Sequence, residues 1–397
     1  MRFAFLVGFF LIVTFRQGFA ESLGSAPSDV ILVAATVDGQ AGTFLLDTGT
    51  ERSCLDAGFA ARLAIASTSR ETVREPYAKG MADGIRISKL GIGSFHLQNV
   101  QMLSTDLSPI FLKAGISIDG ILGSDVLRHF VVRIDFASGS AQFGMSDMIP
   151  EGATVVKLQP VNDHYFVPVG VQGVPTTLLL DTGTNASSIS SQAWLHITTH
   201  WKPTSVLDGV RSTGGSENTK FVLVPVVDIG RNASRNVPFR IQPQTTEGLF
   251  AETSFDGLLG TDILQHFVVT LDLANNKMYL VRNPNIHVNP YLFSTIGIQF
   301  AKDADGDFVI MAVWSPSPAA KAGLKVGDLI LAVNQLDAEQ LSLDDFSRKV
   351  HGRPGTEVHL VIDSGGRRHS VPVAIRCLLC PAADALEKAE QKLVTQH

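Results

Sequence analysis

Short apolar runs bounded by turn residues, with few long helical patterns, dominate the first 285 residues, which is the texture of β structure. Residues 30–36, the turn Asp38-Gly39 and residues 43–46 read as a hairpin; residues 166–171, the turn Gln172-Gly173 and residues 176–180 read as a second. In each, the strand leaving the turn ends in an unbroken apolar run, Phe44-Leu45-Leu46 and Leu178-Leu179-Leu180, as suits a strand covered on both faces. Both runs lead directly into Asp-Thr-Gly-Thr. Farther on, Ile121-Leu122-Gly123 and Leu258-Leu259-Gly260 read as buried strands ending at a glycine where backbones pass closely. Ser124 and Thr261 are placed to cap short helices over 125–130 and 262–267. Residues 131–136 and 268–273 then return as strands, and His129 and His266 fall on the solvent side of the helices.

These patterns are two copies of one unit. AGTFLLDTGTERSCLD begins at Ala41 and VPTTLLLDTGTNASSIS at Val174, and their aspartates lie 181 − 47 = 134 positions apart. GILGSDVLRHFVVRIDF begins at Gly120 and GLLGTDILQHFVVTLDL at Gly257, 257 − 120 = 137 apart. Two motifs repeated in one order at nearly one offset indicate a duplicated domain. After Asn283-Pro284 and Asn289-Pro290 the texture changes, which marks a linker. A third stretch opens on Ile296-Gly297-Ile298, places Ser317 before a short helix over 317–322, and spaces Leu341, Leu343, Phe346 and Val350 as one helix face. Residues 382–394 have the pattern of a short amphipathic tail.

The N-terminus adds a destination. Arg2, then an apolar run over 3–15, then Gly18 and Ala20 before Glu21, read as an export signal cut after residue 20. The run is shorter than the roughly 20 residues that span a bilayer, so no stable membrane insertion is expected. With 32 basic and 38 acidic side chains the formal charge is −6, and such a chain has no electrostatic reason to seek nucleic acid or anionic lipid. Cys377 and Cys380 form a C-x-x-C suited to a small disulfide loop in an exported protein, whereas Cys54 stands alone. His196 and His200 are four apart without the glutamate of a zinc helix. The formal sequon at Asn185 would put a glycan four residues past Asp181, which favours a bacterial context, periplasmic or secreted.

Hydrolysis of a peptide without metal or covalent nucleophile needs one group to take a proton from water and another to give one to the carbonyl oxygen. Two carboxylates can do both if they cannot both ionise, and at about 3 Å with an effective dielectric near 20 two negative charges repel by roughly 5 kcal/mol. Two Asp-Thr-Gly turns, each fed by an apolar strand and followed by a Gly-φ-Leu-Gly motif, resemble the aspartic peptidases of the pepsin and retropepsin type. IGIQF followed by SPSPAAKAGLKVGDLILAVNQ resembles a PDZ domain of the bacterial periplasmic-peptidase kind. The layout is similar to that of bacterial retropepsin-like proteins with a C-terminal PDZ domain, over essentially the whole chain after residue 20.

The resemblance implies a mainly β chain. After a signal peptide at 1–20, two acid-protease β-barrel halves of the double-ψ type, residues 24–148 and 152–284, pack about a pseudo-twofold axis. A PDZ domain at 292–376 and a tail at 377–397 follow. Asp47 and Asp181 are then the catalytic pair. Thr48 and Thr182 reach across to the other loop's backbone, and Gly49 and Gly183 let the loops and their amides approach the carboxylates. Thr50 and Thr184 put a hydroxyl beside each aspartate, which favours the charged form and an optimum below pH 6. Candidate flaps are residues 77–84, with Tyr77, and 212–216. Glu51 and Arg52 depart from the small residues usual after this motif, and either tighten the cleft or meet a substrate charge. Ile296, Gly297 and Ile298 match the loop whose amides cradle a terminal carboxylate, with a peptide adding as a strand beside it. The implied activity is endopeptidase hydrolysis by activated water, with no cofactor and no metal, in a monomer whose two halves are covalently joined. Its partners are a peptide or protein substrate and either a C-terminal peptide at the PDZ domain or the chain's own peptidase. A non-catalytic peptide-binding protein of the same duplicated fold is the alternative, and a PDZ scaffold is a third.

Overall fold

A computed structural model describes residues 30–74, 79–108, 117–203, 206–211, 218–243, 256–285, 293–303 and 306–380. The export signal, Tyr77, residues 212–216 and the tail beyond Cys380 lie outside them.

The first hairpin, Leu32–Val37 (β1) and Gln40–Leu46 (β2), turns at Asp38 and Gly39, whose φ angles are 49° and 91°. That left-handed pair is what a two-residue hairpin turn requires. Cys54–Asp56 (β3), Ser67–Arg74 (β4), Lys79–Ile92 (β5), Phe95–Thr105 (β6) and Gly120–Leu122 (β7) complete a sheet of order β1-β2-β7-β3-β6-β5-β4. A further pairing of β1 with β5 closes six of these strands into a barrel and leaves β4 on its edge. β2 runs parallel to β7, with Leu46 opposite Leu122, so the strand delivering Asp47 has a neighbour on each side.

Val131–Asp135 (β8) and Ser140–Gly144 (β9) leave the barrel, and Thr154–Lys157 (β10) opens the second half. Gln159–Val161 (β11), His164–Val171 (β12), Val174–Leu180 (β13), Ser188–Ser190 (β14), Val206–Arg211 (β15), Asn218–Ile229 (β16), Asn232–Gln242 (β17) and Gly257–Leu259 (β18) repeat the first topology. The order is β11-β12-β13-β18-β14-β17-β16-β15, again with a parallel pair, β13 and β18, and a closing pair, β12 and β16. Phe267–Asp272 (β19) and Lys277–Arg282 (β20) join a third sheet, β10-β20-β19-β8-β9, built from both halves. At its centre Arg133 faces Thr270, its own counterpart in the repeat, since 270 − 133 = 137. Antiparallel pairing of a residue with its copy marks the pseudo-twofold axis. One apolar core runs through both halves, with Phe44, Leu46, Leu180, Phe239 and Phe267 fully buried.

The third unit has its own core around Phe308, Phe346, Val358 and Leu360. Its strands are Ser294–Thr295 (β21), Ile298–Lys302 (β22), Phe308–Val313 (β23), Leu329–Val333 (β24), Leu336–Asp337 (β25), Glu357–Ser364 (β26), Arg367–Ala374 (β27) and Arg376–Cys377 (β28). β22 is the edge of the order β22-β23-β24-β26-β27, and β28 pairs with β21. The helices Pro318–Lys321 and Leu343–Val350 are capped by Ser317 and Ser342. Cys377 and Cys380 form a disulfide, and Cys54 is buried and reduced.

Two local expectations need correction. The helices after the glycine-ended strands are shorter than 125–130 and 262–267, spanning Ser124–Leu127 and Thr261–Leu264. Gly123 and Gly260 occupy the cap positions, without a side-chain bond. His129 is exposed, but His266 is half-buried with an unpaired Nδ1, and burial lowers its basicity. Among the described residues no helix is long and apolar enough to cross a membrane, and no group of three or more His, Cys, Asp or Glu could hold a metal ion.

Candidate active site

Asp47 and Asp181 leave the ends of β2 and β13, and the pairing of β8 with β19 brings those ends face to face. The loops are locked by four reciprocal bonds. The Thr48 amide donates to Thr182 Oγ1 (3.0 Å) and the Thr182 amide to Thr48 Oγ1 (3.1 Å). Each hydroxyl in turn donates across the seam, Thr48 to the Leu180 carbonyl and Thr182 to the Leu46 carbonyl, both at 2.9 Å. Both threonines are fully buried, so no water competes for these bonds.

Glycine follows for a steric reason. A Cβ on Gly49 would stand 2.6 Å from Asp181 Cγ, and one on Gly183 only 2.4 Å from Asp47 Cγ. Their amides instead donate to the aspartate of their own loop, Gly49 to Asp47 at 2.8 Å and Gly183 to Asp181 at 2.9 Å. Thr50 Oγ1 donates to the other oxygen of Asp47 at 2.8 Å, and Asp181 takes the Thr184 amide. Each carboxyl group thus lies against the glycine of the other turn, across the seam from its partner.

Burial raises the pKa of both aspartates above the ordinary carboxylate range. For Asp47 the Thr50 hydroxyl and the Gly49 amide oppose burial; for Asp181 the charge of Asp47 adds to it, so Asp181 lies higher. Water removal therefore outweighs the hydroxyl effect expected from the sequence. Two carboxyls placed this way disfavour each other's ionisation, and the titration belongs to the pair.

A second layer escaped the sequence reading. Ser53 donates its amide (2.9 Å) and hydroxyl (2.6 Å) to Asp125, and Ser187 does the same to Asp262 at 2.9 and 2.5 Å. Each serine hydroxyl also accepts the amide of the glycine ending the neighbouring strand, Gly123 or Gly260, at 2.9 Å. Ser124 Oγ, expected at a helix cap, donates to the Thr48 carbonyl (3.1 Å). The signal was present: a serine stands six places after each aspartate of the pair, and an aspartate two places after each glycine-ended strand.

In the third unit two of the three expected amides are engaged. Ile296 donates to the Val350 carbonyl at 3.2 Å and Gly297 to Thr295 Oγ1 at 3.3 Å. Trp314 donates to the Gly297 carbonyl while Ile298 faces Val313, so the Ile298 amide points away from β23 towards the open edge.

Residues 33–126 and 167–263 match the family model described as aspartyl protease, and residues 309–363 that of the PDZ domain. A CtpA-like serine protease of Staphylococcus saprophyticus is 32% identical over 88 residues, 19% of this chain and 18% of that protein. A carboxyl-terminal-processing protease of Synechocystis is 38% identical over 74 residues, covering 18% of this chain and 17% of its own length. The carboxy-terminal processing protease CtpA of Bacillus subtilis is 30% identical over 89 residues, 20% of this chain and 19% of that protein. The chain thus spans less than a fifth of the length of these curated relatives. Among solved structures, the photosystem II D1 C-terminal processing protease superposes with a TM-score of 0.21 at 24% identity, over 22% of this chain and 24% of that one.

Proposed function

We propose, on the premise that both halves match the aspartyl protease family model and a PDZ domain follows them, that this is an exported aspartic endopeptidase whose catalytic pair is Asp47 and Asp181. The single observation that carries the reading is the meeting of two half-buried carboxyl groups, each against the glycine of the other turn, on turns cross-locked by Thr48 and Thr182. A water lodged between them loses a proton to ionised Asp47 as its oxygen attacks the peptide carbonyl, and Asp181 gives its proton to the carbonyl oxygen. Asp47 then passes the proton it took to the amide nitrogen while a hydroxyl of the gem-diol returns one to Asp181, so the pair ends as it began. The C–N bond breaks, one water is consumed, and an acid and an amine leave.

We place the functional units at 24–148, 152–284 and 292–376, and the matched segments fall inside them. Each catalytic aspartate comes from a different half of one chain, so a monomer suffices. The Cys377–Cys380 disulfide fits an oxidising compartment and with it cleavage of the signal after residue 20. The cleft takes an extended peptide, and the PDZ domain a peptide strand along the open edge of β22. A terminal carboxylate there would have to displace the Ile296–Val350 and Gly297–Thr295 bonds.

The similar proteases, one of them a CtpA-like serine protease, match over 74 to 89 residues, a length close to the PDZ unit and far short of a whole enzyme. Chemistry separates the types. Cleavage of an unfolded casein-type substrate at acidic pH should be stopped by pepstatin, untouched by fluorophosphonate serine reagents, and lost in Asp47→Asn and Asp181→Asn. Fluorophosphonate sensitivity would overturn the aspartic assignment, and absence of cleavage at any pH would leave a peptide-binding protein.

A further inference from the structure

Between the first catalytic turn and the body of its half runs a four-residue segment held at both ends. Thr50 is tied to Asp47, and Ser53 to Asp125 and Gly123. Arg52, between them, turns away from the seam and donates through Nη1 to Glu71 Oε2 on β4. Glu71 is fixed from a second side by Ser69 Oγ, which donates to Oε1 at 2.9 Å. The Ser69 and Glu71 side chains lie flat across β5 because residue 84 is glycine, where a Cβ would stand 2.1 Å from Ser69 Oγ and 2.5 Å from Glu71 Oε1. The second half has no equivalent, for the position matching Arg52 (52 + 134 = 186) is Ala186.

We propose that Arg52 and Glu71 form a strut, present on one side of the cleft only, that holds the β4–β5 hairpin at a set distance from the Asp47 turn and so positions the substrate. The proposal rests on the peptidase reading. It gives Arg52 a task other than meeting a substrate charge, because its guanidinium is already engaged by Glu71. β4 is the edge strand of its sheet, with β5 as its one strand neighbour among the described residues, so a side-chain tie to the catalytic loop holds it on the side where no strand does. The Ser69 hydroxyl, and after it Arg52, hold Glu71 below the usual glutamate range, which keeps the pair charged in mildly acidic solution. Both side chains of the pair are about one third exposed (33% and 35%), so salt can reach and screen it.

The test is a double-mutant cycle on the full chain with a fluorogenic peptide at acidic pH. Glu71→Gln and Arg52→Gln should each raise KM roughly tenfold with kcat changed less than about twofold, the signature of lost positioning in the ground and transition states alike. The double variant should be no worse than either single, because the two act as one unit. Added NaCl should raise the KM of the wild type and leave that of Glu71→Gln unchanged. Additive losses, or a wild-type KM in Glu71→Gln, would overturn the strut while leaving the peptidase reading intact. Failure of the wild type itself to cleave would overturn the peptidase reading and the positioning role together.

Discussion

At the residue scale the chemistry-bearing positions were legible because they repeat, and the layer beneath them was not because its partners are distant in sequence. Asp47 and Asp181 announce themselves by their apolar approach and shared Thr-Gly-Thr continuation. Asp125 and Asp262 looked like ordinary helix-start acids, and only the fold brings Ser53 and Ser187 onto them. Asp262 has a measurable consequence. Burial raises its pKa from 3.8 to about 6, against the opposing bonds of Ser187 and Ile263 and the charge of Arg240. A carboxyl that binds its proton more tightly folded than unfolded stabilises the fold fully below the unfolded value. That contribution is lost as pH rises through about 6. Urea unfolding should therefore show stability falling by about 1 kcal/mol from this group between pH 5 and pH 7. Asp262→Asn should flatten that part of the slope. A slope unchanged in the variant would mean the carboxyl titrates normally.

At the element scale the hairpins and glycine-ended strands follow from local pattern, whereas helix lengths do not. The two hairpins fall at the expected Asp38-Gly39 and Gln172-Gly173 turns, because only residues tolerating positive φ can make a turn of that kind. The short helices end in turns, Arg128-His129 and Gln265-His266, that redirect the chain into the central sheet at Val131 and Phe267, a tertiary demand with no local mark. Glycines separate the two kinds of constraint. Gly173 has φ +78° with nothing within 4 Å of where a Cβ would stand, so Gly173→Ala should cost only the backbone term, about 1 kcal/mol. At Gly257 the Ser188 carbonyl oxygen lies 2.0 Å from the corresponding point. Gly257→Ala must push β14 off β18, at about 3 kcal/mol or more. Equal Tm losses in the two variants would show that crowding is relieved elsewhere.

At the scale of the whole molecule, the prolines at 284 and 290 mark a linker, and of the two roles expected for the PDZ domain the fold bears on docking against its own peptidase, for the two units touch. The edge strand β15 of the second half and Ser315, two residues past β23 of the PDZ domain, pair reciprocally. Asp208 donates to the Ser315 carbonyl at 2.7 Å and Ser315 to the Asp208 carbonyl at 2.8 Å. Around that bridge Leu207, Phe221, Trp314 and Leu379 form one buried cluster. Leu379 reaches it from inside the loop closed by Cys377 and Cys380, and that loop is pinned by the Leu378 amide on the Phe293 carbonyl (2.8 Å). No sequence pattern links position 208 to 315, so this junction was invisible before folding. An isolated β-bridge and four large apolar side chains are enough to couple two units that a bare tether would leave independent. Calorimetry of the wild type should then show the PDZ domain and the second half unfolding together. Leu379→Ala, which empties a fully packed position at about 3 kcal/mol, should split that transition and shift the emission of Trp314 to the red as its indole meets water. Cys377→Ser with Cys380→Ser should do the same more weakly, since the loop keeps its sequence but loses its closure. Two transitions already separate in the wild type, with Trp emission indifferent to Leu379, would return the PDZ domain to the status of a tethered module.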